Sequence, residues 1–300
     1  MRGNAIPLVI ALTAALIFAL CTTVSAAWPC YRGNAARTGR TGERFEFPLD
    51  ARWVRVPDQK PRPAWPDAVF EAGGRSEEDR INFDDAFHPV IADGLVFFGS
   101  NADDTIRALD LETGSLEWTF TAGGPVRFAP HVSGGRCYFA CDDGIVYCLD
   151  ASDGRPIWKT RVAPSDERIL GNGRMISRWP CRSGVLLVGD VLYTTAGMWP
   201  AEGVYIYALE ATSGATIWCN DTSNFLYLKH PHEMYSFTGV APQGYLAAAG
   251  NVLLVPTGRA LPAAYDRRTG EFLYHHPPSK LGGVYVAIES EAGVFFNGHS

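Results

Sequence analysis

One eleven-residue pattern occurs four times in this chain and constrains its fold more than any other feature. Each copy has an acidic residue, a glycine four residues later and an aromatic residue four after that. The copies are Ala108–Trp118 (ALDLETGSLEW), Cys148–Trp158 (CLDASDGRPIW), Ala208–Trp218 (ALEATSGATIW) and Ala264–Tyr274 (AYDRRTGEFLY). Their aromatic residues are 40, 60 and 56 residues apart. Units of about 40 to 50 residues made of short strands are typical of a β-propeller with four-stranded blades. The predicted fold class is therefore all-β.

Each position of the repeat has a predicted structural role. The acid accepts hydrogen bonds from backbone amides of its own turn, and the glycine takes the left-handed conformation of a bulged hairpin loop. The aromatic side chain lies between neighbouring blades, so that the repeat docks one blade on another. The predicted docking motif consists of Asp110, Gly114, Trp118, Asp150, Gly154, Trp158, Glu210, Gly214, Trp218, Asp266, Gly270 and Tyr274.

The second repeat shows the remaining strands of a blade most clearly. Gly134-Gly135 and Asp142-Asp143-Gly144 supply the positive φ angles that hairpin turns need. They separate four predicted strands, which are Arg127–Val132, Arg136–Cys141, Ile145–Asp150 and Pro156–Thr160.

The same patterns predict an incomplete ring. Residues 27–86 form a lead, in which Arg52–Val56 is an outer strand donated to a closing blade, followed by a long loop. Residues 87–300 contain four blades, between about 87 and 276, and a fifth begun by Val284–Glu289 and Gly293–Asn297. An open ring exposes strand edges and an apolar blade face. We therefore expect these residues to be the amino-terminal part of a longer protein, or the product of a truncated gene model.

The repeat resembles the tryptophan-docking motif of propellers related to quinoprotein (PQQ) dehydrogenases, which also occurs in the outer-membrane assembly lipoprotein BamB. The first copy matches this motif in full, at Ala108, Asp110, Thr113, Gly114 and Trp118. The opening segment Trp28–Gly39 (WPCYRGNAARTG) is similar to the start of many exported PQQ-like proteins of bacteria. The resemblance covers residues 28–300 and implies a closed ring of seven or eight blades. Departures from the motif are Cys148, Glu210 and Tyr274.

Residues 1–26 have the composition of an export signal, with Arg2 before an apolar run (8–20) and small residues at 24–26. We expect cleavage after Ala26 and an exported protein, periplasmic or extracellular. The apolar run is shorter than the about 20 residues that span a bilayer, so no stable membrane insertion is expected after cleavage.

Composition excludes one class of partner and leaves the cysteines to be assigned. The formal charge of −6 offers no basic surface for nucleic acid. Cys30 and Cys181 each follow Trp-Pro in a connecting segment, which makes them candidates for a disulfide in an oxidising compartment. The spacing of Cys137, Cys141 and Cys148 matches no zinc-ligand pattern, and these residues are interpreted as small buried side chains.

Three long connections, residues 57–86, 163–183 and 221–240, should lie on one face of the ring, where propellers usually bind. Loops of this length are uncommon unless they are functional or disordered. They could form a polar vestibule in which arginines and aromatic rings grip an anionic or planar ligand. Alternatively, acidic and basic loops simply bridge each other. The candidate ligand-binding residues are Arg168, Arg174, Arg178, Trp179, His230, His232, Glu233 and Tyr235.

No metal site is predicted. The pair His230 and His232 could be read as metal ligands, but the intervening proline excludes a helix that would place both imidazoles on one face.

Two hypotheses about function, with a third for a longer chain, remain open. The first is an exported, non-catalytic scaffold that binds a protein or small-molecule ligand through the loop face, as the resemblance to BamB implies. The second is a PQQ- and calcium-dependent alcohol or sugar dehydrogenase, as the resemblance to quinoproteins implies. No catalytic residue of those enzymes can be assigned here, and no hydrolase, zinc-protease or nucleotide-loop motif is present. The third is a propeller module of a larger enzyme continuing beyond residue 300.

Overall fold

The computed structural model describes residues 27–65, 83–229, 233–258, 260–276, 282–289 and 294–298. Within these ranges the chain forms antiparallel sheets and two short 3-10 turns, Tyr31–Gly33 and Pro200–Glu202. Four sheets have four strands, and in each the chain runs in order from the inner strand to the outer strand. The predicted all-β propeller is confirmed.

The strands of the four blades follow one another along the chain. Blade 1 consists of β1 (Val90–Ala92), β2 (Leu95–Ser100), β3 (Thr105–Asp110) and β4 (Leu116–Thr121). Blade 2 consists of β5 (His131–Ser133), β6 (Arg136–Ala140), β7 (Ile145–Asp150) and β8 (Pro156–Arg161). Blade 3 consists of β11 (Leu186–Val188), β12 (Val191–Ala196), β13 (Tyr205–Glu210) and β14 (Thr216–Asn220). Blade 4 consists of β17 (Ala247–Ala249), β18 (Val252–Thr257), β19 (Ala260–Asp266) and β20 (Phe272–Tyr274).

Three two-stranded sheets complete the described fold. The hairpin β9 (Arg168–Gly171) and β10 (Arg174–Ser177) lies between blades 2 and 3 in sequence. The hairpin β15 (Leu226–Lys229) and β16 (Tyr235–Thr238) lies between blades 3 and 4. The pair β21 (Tyr285–Glu289) and β22 (Val294–Gly298) follows blade 4. The prediction that the first two segments are loops is wrong, because each contains a two-stranded hairpin.

The first strand of blade 2 is shorter than predicted. It begins at His131 instead of Arg127, because the Arg127 side chain is held in a buried ion-pair cluster and Pro130 has no amide hydrogen for a ladder bond. The other three predicted strands of this blade differ from the observed ones by at most one residue. Gly134, Gly135 and Gly144 have positive φ angles of 58°, 70° and 77°, as their turns require.

Each motif tryptophan docks on the next copy of the motif. The indole Nε1 of Trp118 donates to Ala151 O at 3.0 Å, that of Trp158 to Ala211 O at 3.1 Å, and that of Trp218 to Arg267 O at 3.1 Å. The motif glycine forms the floor under the ring. A Cβ at Gly154 would lie 2.6 Å from the Trp118 ring, so this position needs glycine for close approach as well as for its φ of 72°.

The motif acids organise their own turns, as predicted. Asp110 Oδ1 accepts hydrogen bonds from the amides of Glu112 and Thr113, at 3.1 and 2.7 Å. Hydrogen bonds from Thr113 lower the pKa of Asp110. Glu210 departs from this pattern because its longer side chain is bonded to the Ser213 hydroxyl, and no turn amide among the described residues donates to it.

The lead segment was predicted to contain a strand at Arg52–Val56. No strand is present there among the described residues, but Trp53 takes the position of a docking tryptophan. Its Nε1 donates to Leu111 O at 2.9 Å, and a Cβ at Gly114 would lie 2.6 Å from its ring. The segment therefore supplies the docking contact of a preceding outer strand without the ladder.

Candidate functional site on the connection face

One face of the propeller carries every connection from an outer strand to the next inner strand, together with the turns between second and third strands. We call this the connection face; its described parts are residues 83–89, 101–104, 122–130, 141–144, 162–185, 197–204, 221–229, 233–246, 258, 275–276 and 282–284. The hairpins β9–β10 and β15–β16 both belong to it. Those sequence candidates for ligand binding that the structure describes fall on these two hairpins and beside them.

The arginines of β9–β10 are bonded to the neighbouring blades. Arg174 Nη1 donates to the carbonyls of Asn101 and Ala102, at 3.0 and 2.9 Å, and the guanidinium also pairs with Asp104. Arg168 Nη1 donates to Gly123 O at 3.0 Å. These contacts fix the hairpin over the first blade.

Arg178 and Trp179 form a second set of contacts directly after β10. Arg178 bonds to Glu167 Oε2 at 2.9 Å and to Glu202 Oε2 from its Nε at 2.6 Å. Its guanidinium carbon lies 5.4 Å from the centre of the Trp179 ring. Hydrogen bonds to Glu167 and then to Glu202 raise the pKa of Arg178. Acidic and basic segments thus bridge each other here.

The β15–β16 hairpin presents aromatic rings to solvent. Phe225, Tyr227, Tyr235 and Phe237 are between 58% and 67% exposed. Phe225 and Phe237 stack with ring centres 4.3 Å apart, and Tyr227 lies 5.1 Å from Phe237 and 5.7 Å from Tyr235. We call these four residues the aromatic face.

The strand register explains why these rings share one side. Tyr227 is opposite Phe237, and Lys229 is opposite Tyr235. Alternate residues of a strand point to opposite faces, so Leu226 and Leu228 point the other way and are half-buried. Glu233 bonds to Lys229 Nζ at 2.8 Å at the end of the hairpin. His230 and His232 lie outside the described residues.

A buried ion-pair cluster beneath the β9–β10 hairpin was not predicted. Arg127 bonds to Asp142 Oδ2 from Nε at 2.6 Å and to Asp84 Oδ2 from Nη1 at 2.5 Å. Arg182 Nε lies 3.0 Å from Asp142 Oδ1. All four side chains are at most 4% exposed. Burial opposes the charge on Arg127, but Asp142 and Asp84 more than compensate and raise its pKa.

Arg182 is the least satisfied member of this cluster. Its Nη1 has no hydrogen-bond partner among the described residues, and its contact with Asp142 lacks hydrogen-bond geometry. Burial lowers its pKa, and the charge of Asp142 opposes this effect. The sequence placed Asp84 and Arg182 in the loops of this face but gave no reason to pair them with Arg127 and Asp142.

A pocket of about 320 Å³ lies between the lead segment and blade 1. Trp53 and Arg55 form one wall, and Phe98 and Arg107 form the other. Arg107 is paired with Asp103, so its charge is compensated within the pocket wall. No local pattern in the sequence indicates this pocket, because its walls come from segments far apart in the chain.

The cysteines do not form the predicted disulfide. All six described cysteines are free. Burial raises the pKa of the Cys30 thiol, and the charge and hydrogen bond of the neighbouring Arg37 partly offset this effect. Cys181 instead contacts the backbone of Cys141. Cys137, Cys141 and Cys148 are buried, in agreement with their interpretation as small core residues.

Three arginines of the connection face bear on whether it could hold PQQ and calcium, the cofactors that the fold family implies. Among the described residues, no group of three or more His, Cys, Asp or Glu side chains could hold a metal ion. Arg174 and Arg178 are already bonded to protein oxygens, and Arg182, which has open donors, is 3% exposed. These three arginines are therefore committed to protein oxygens or buried.

These features define a β-propeller protein whose blades are joined by docked tryptophans and whose connection face carries two inserted hairpins. The family described as outer membrane protein assembly factor BamB matches residues 52–196. BamB of Escherichia coli (strain K12) is 29% identical over 118 residues, covering 34% of this chain and 27% of the relative. BamB of Shigella dysenteriae gives the same values. The match thus spans about a quarter of the length of these relatives.

Quinohemoprotein alcohol dehydrogenase from Comamonas testosteroni has a similar structure. Its TM-score is 0.53 at 15% identity, and the alignment covers 88% of this chain and 44% of that chain. At this identity the likeness shows the fold alone. The chain is a PQQ-like β-propeller. No helix in the described parts of the chain is long and apolar enough to cross a membrane.

Proposed function

We propose that this protein is an exported, non-catalytic scaffold that binds a protein partner through its connection face. The observation that carries the proposal is the aromatic face of β15–β16, with its four half- to two-thirds-exposed rings. Contiguous exposed apolar surface on a soluble domain marks interaction sites. Tyrosine and phenylalanine are enriched in the buried parts of protein interfaces.

The arrangement of the rings favours a protein over a sugar or planar ligand. Phe225 and Phe237 stack on each other with an interplanar angle of 23°, so much of the area of their inner faces is already covered. A ligand that stacks needs free ring faces, whereas apolar side chains of a protein can pack against ring edges. The free strand edges of a two-stranded hairpin add backbone donors and acceptors for a partner.

The arginine candidates support the same conclusion. Arg174 and Arg178 are bonded to protein carbonyls and carboxylates, and Arg168 donates to a carbonyl. Releasing them for a ligand would break those bonds. We therefore assign these arginines to positioning of the β9–β10 hairpin and assign binding to the aromatic face.

Export is part of this proposal. The leader-like composition of residues 1–26 supports it, and so does similarity to proteins described as outer membrane protein assembly factors. The partner is proposed to be another exported protein.

Site-specific photo-crosslinking in the native host tests the proposal. A photoreactive amino acid at Phe237 should give a discrete adduct with one protein, whereas the same group at Ile217, which is 51% exposed on the outer strand of blade 3, should give none. Adducts at neither position, or equally at both, would exclude the aromatic face as the binding site.

A second measurement tests the non-catalytic part. Full-length protein is titrated with PQQ and calcium and assayed for dye-linked oxidation of alcohols and aldoses. Saturable binding with turnover would contradict the scaffold hypothesis and favour the dehydrogenase hypothesis. Absence of both binding and turnover agrees with a non-catalytic scaffold.

A further inference from the structure

The segment Trp28–Gly39, which we call the hub segment, runs along the inner strands of the blades. Trp28 exchanges two backbone hydrogen bonds with Ile91 of β1, at 2.8 and 2.9 Å. Pro29 O accepts from the Val132 amide of β5 at 2.8 Å. One short segment therefore joins the inner strands of blades 1 and 2.

The second half of the hub segment makes the same kind of contact on the other side. Ala35 O accepts from the Ala248 amide of β17 at 2.9 Å, and Ala36 O accepts from the Ile288 amide of β21 at 2.8 Å. These bonds join blade 4 and the β21–β22 pair. The small side chains of Ala35 and Ala36 permit this close approach of the backbones.

Arg37 anchors the segment at the centre. It is 1% exposed, and its guanidinium donates to three carbonyls: Leu246 O at 2.9 Å, Val185 O at 3.4 Å and Tyr31 O at 2.7 Å. Val185 directly precedes the inner strand of blade 3, so the hub segment contacts every blade and the β21–β22 pair. The Tyr31 ring stacks on Tyr245 with centres 3.6 Å apart.

These contacts have the form of a bound peptide. Two internal backbone hydrogen bonds hold the shape of the hub segment: Gly33 N donates to Cys30 O at 2.9 Å, and Gly39 N donates to Arg32 O at 3.1 Å. Its bonds to the blades are mainly main-chain bonds, with one buried side-chain anchor, so main-chain bonds hold it in place and the anchor gives selectivity, as in other modes of peptide recognition. The chain is exposed on both sides of it, at Ala27 and along residues 39–50. The blades are joined to each other independently by Trp118, Trp158 and Trp218.

We propose that the inner strands form a peptide-binding site and that the hub segment is its tethered ligand. The site takes a peptide with an aromatic residue, two small residues and an arginine spaced as in Tyr31, Ala35, Ala36 and Arg37. Continuity with the rest of the chain is not needed for binding, so the same peptide binds in trans. This inference does not depend on the aromatic face.

The test uses the full chain with a protease recognition site inserted between Arg44 and Phe45, in the exposed segment. After cleavage, the peptide ending at this site should co-elute with the blades in gel filtration at micromolar concentration. A fluorescent peptide of residues 27–40 should then exchange into the cleaved protein, as measured by anisotropy.

Two competitor peptides make the test specific. The Arg37→Ala peptide should compete at least about 100-fold more weakly, since it loses two hydrogen bonds from a buried charged donor to the carbonyls of Leu246 and Val185, and a third that holds the peptide's own shape. The Arg40→Ala peptide is the matched control, because the Arg40 side chain is 78% exposed, and it should compete within about threefold of the parent peptide. Departure of the cleaved peptide from folded blades would overturn the proposal. Unfolding on cleavage, or equal competition by the two peptides, would do so as well.

Discussion

The hairpins β9–β10 and β15–β16 both extend from the connection face between an outer strand and the next inner strand, yet their side chains have different partners. Arg168 and Arg174 of the first hairpin bond to blade carbonyls, and Asn172 Nδ2 donates to Pro63 O at 3.1 Å. In the second hairpin, the described side-chain hydrogen bond and the aromatic contacts stay within the hairpin and the adjoining Phe225.

This difference separates anchoring from binding capacity. A polar insertion gains its position by using its donors on the blades, and those donors are then no longer free for a ligand. An insertion that stacks its rings on each other needs few polar contacts with the blades and keeps its outer side available. Equivalent places in the topology can therefore serve different purposes.

The largest expected effect concerns the β9–β10 hairpin and the ion-pair cluster beneath it. Asp142→Ala removes the carboxylate that lies between Arg127 and Arg182. The same residue positions the end of β10, because its main-chain carbonyl accepts a hydrogen bond from Ser177 N at 2.7 Å. Breaking a buried ion pair leaves uncompensated charge, so the free energy of unfolding should fall by about 3–5 kcal/mol in urea titrations at pH 7. Asp153→Ala is the control, with an expected change below about 1 kcal/mol because its ion pair and its turn hydrogen bond with Arg155 are both at the surface. A loss under about 1 kcal/mol for Asp142→Ala would remove the cluster as an anchor.

A pH-dependent contact lies between the two blades that flank the β9–β10 hairpin in sequence. His131 Nδ1 accepts a hydrogen bond from Leu187 N at 3.2 Å and so joins the inner strands of the blades on either side of β9–β10. Blades 3 and 4 have Leu186 and Ala247 at the start of their inner strands. Burial, and then the charge of Arg37, lower the pKa of His131 to about 3.

The neutral form of His131 is therefore the one that the fold stabilises. The folded protein binds fewer protons than the unfolded chain below pH 6.5, so this contribution is present above that pH and is lost as the pH falls towards 3. Between pH 6.5 and 4 the parent should lose up to about 3 kcal/mol more unfolding free energy than His131→Gln, which cannot titrate. His276→Gln, at an exposed position, should differ from the parent much less, since it changes only the charge beside His275. Identical pH dependence in the parent and His131→Gln would contradict the assignment.

The blades could be predicted from sequence because their determinants are local. Asp110, Gly114 and Trp118 lie within nine residues, and the acid and glycine act inside one turn. The aromatic face also had a local signal, since Phe225 and Tyr227 alternate at the start of β15, as do Tyr235 and Phe237 along β16. The prediction that residues 221–240 form a loop left this alternation of aromatic residues without an assigned role.

The rest depends on contacts between distant segments. Arg127 reaches Asp84 in the lead and Asp142 in a blade turn, and nothing near Arg127 in sequence indicates either partner. The arginines of 168–178 were interpreted as one group because they are close in sequence. Arg174 instead contacts a turn of blade 1 about seventy residues earlier. Long-range hydrogen bonds decided which candidate side chains remain free.

The comparison of the hairpins can be tested with one variant in each. Arg174→Ala removes two hydrogen bonds to Asn101 and Ala102 and the ion pair with Asp104, so the free energy of unfolding should fall by about 1–3 kcal/mol. Hydrogen exchange of the Ile169 to Ile176 segment should also increase. Phe237→Ser loses one stacked ring pair at an exposed position and should cost at most about 1 kcal/mol. If Phe237→Ser destabilises the protein as much as Arg174→Ala, the aromatic face is a packed part of the fold rather than a surface kept free for a partner, and the distinction between the two hairpins fails.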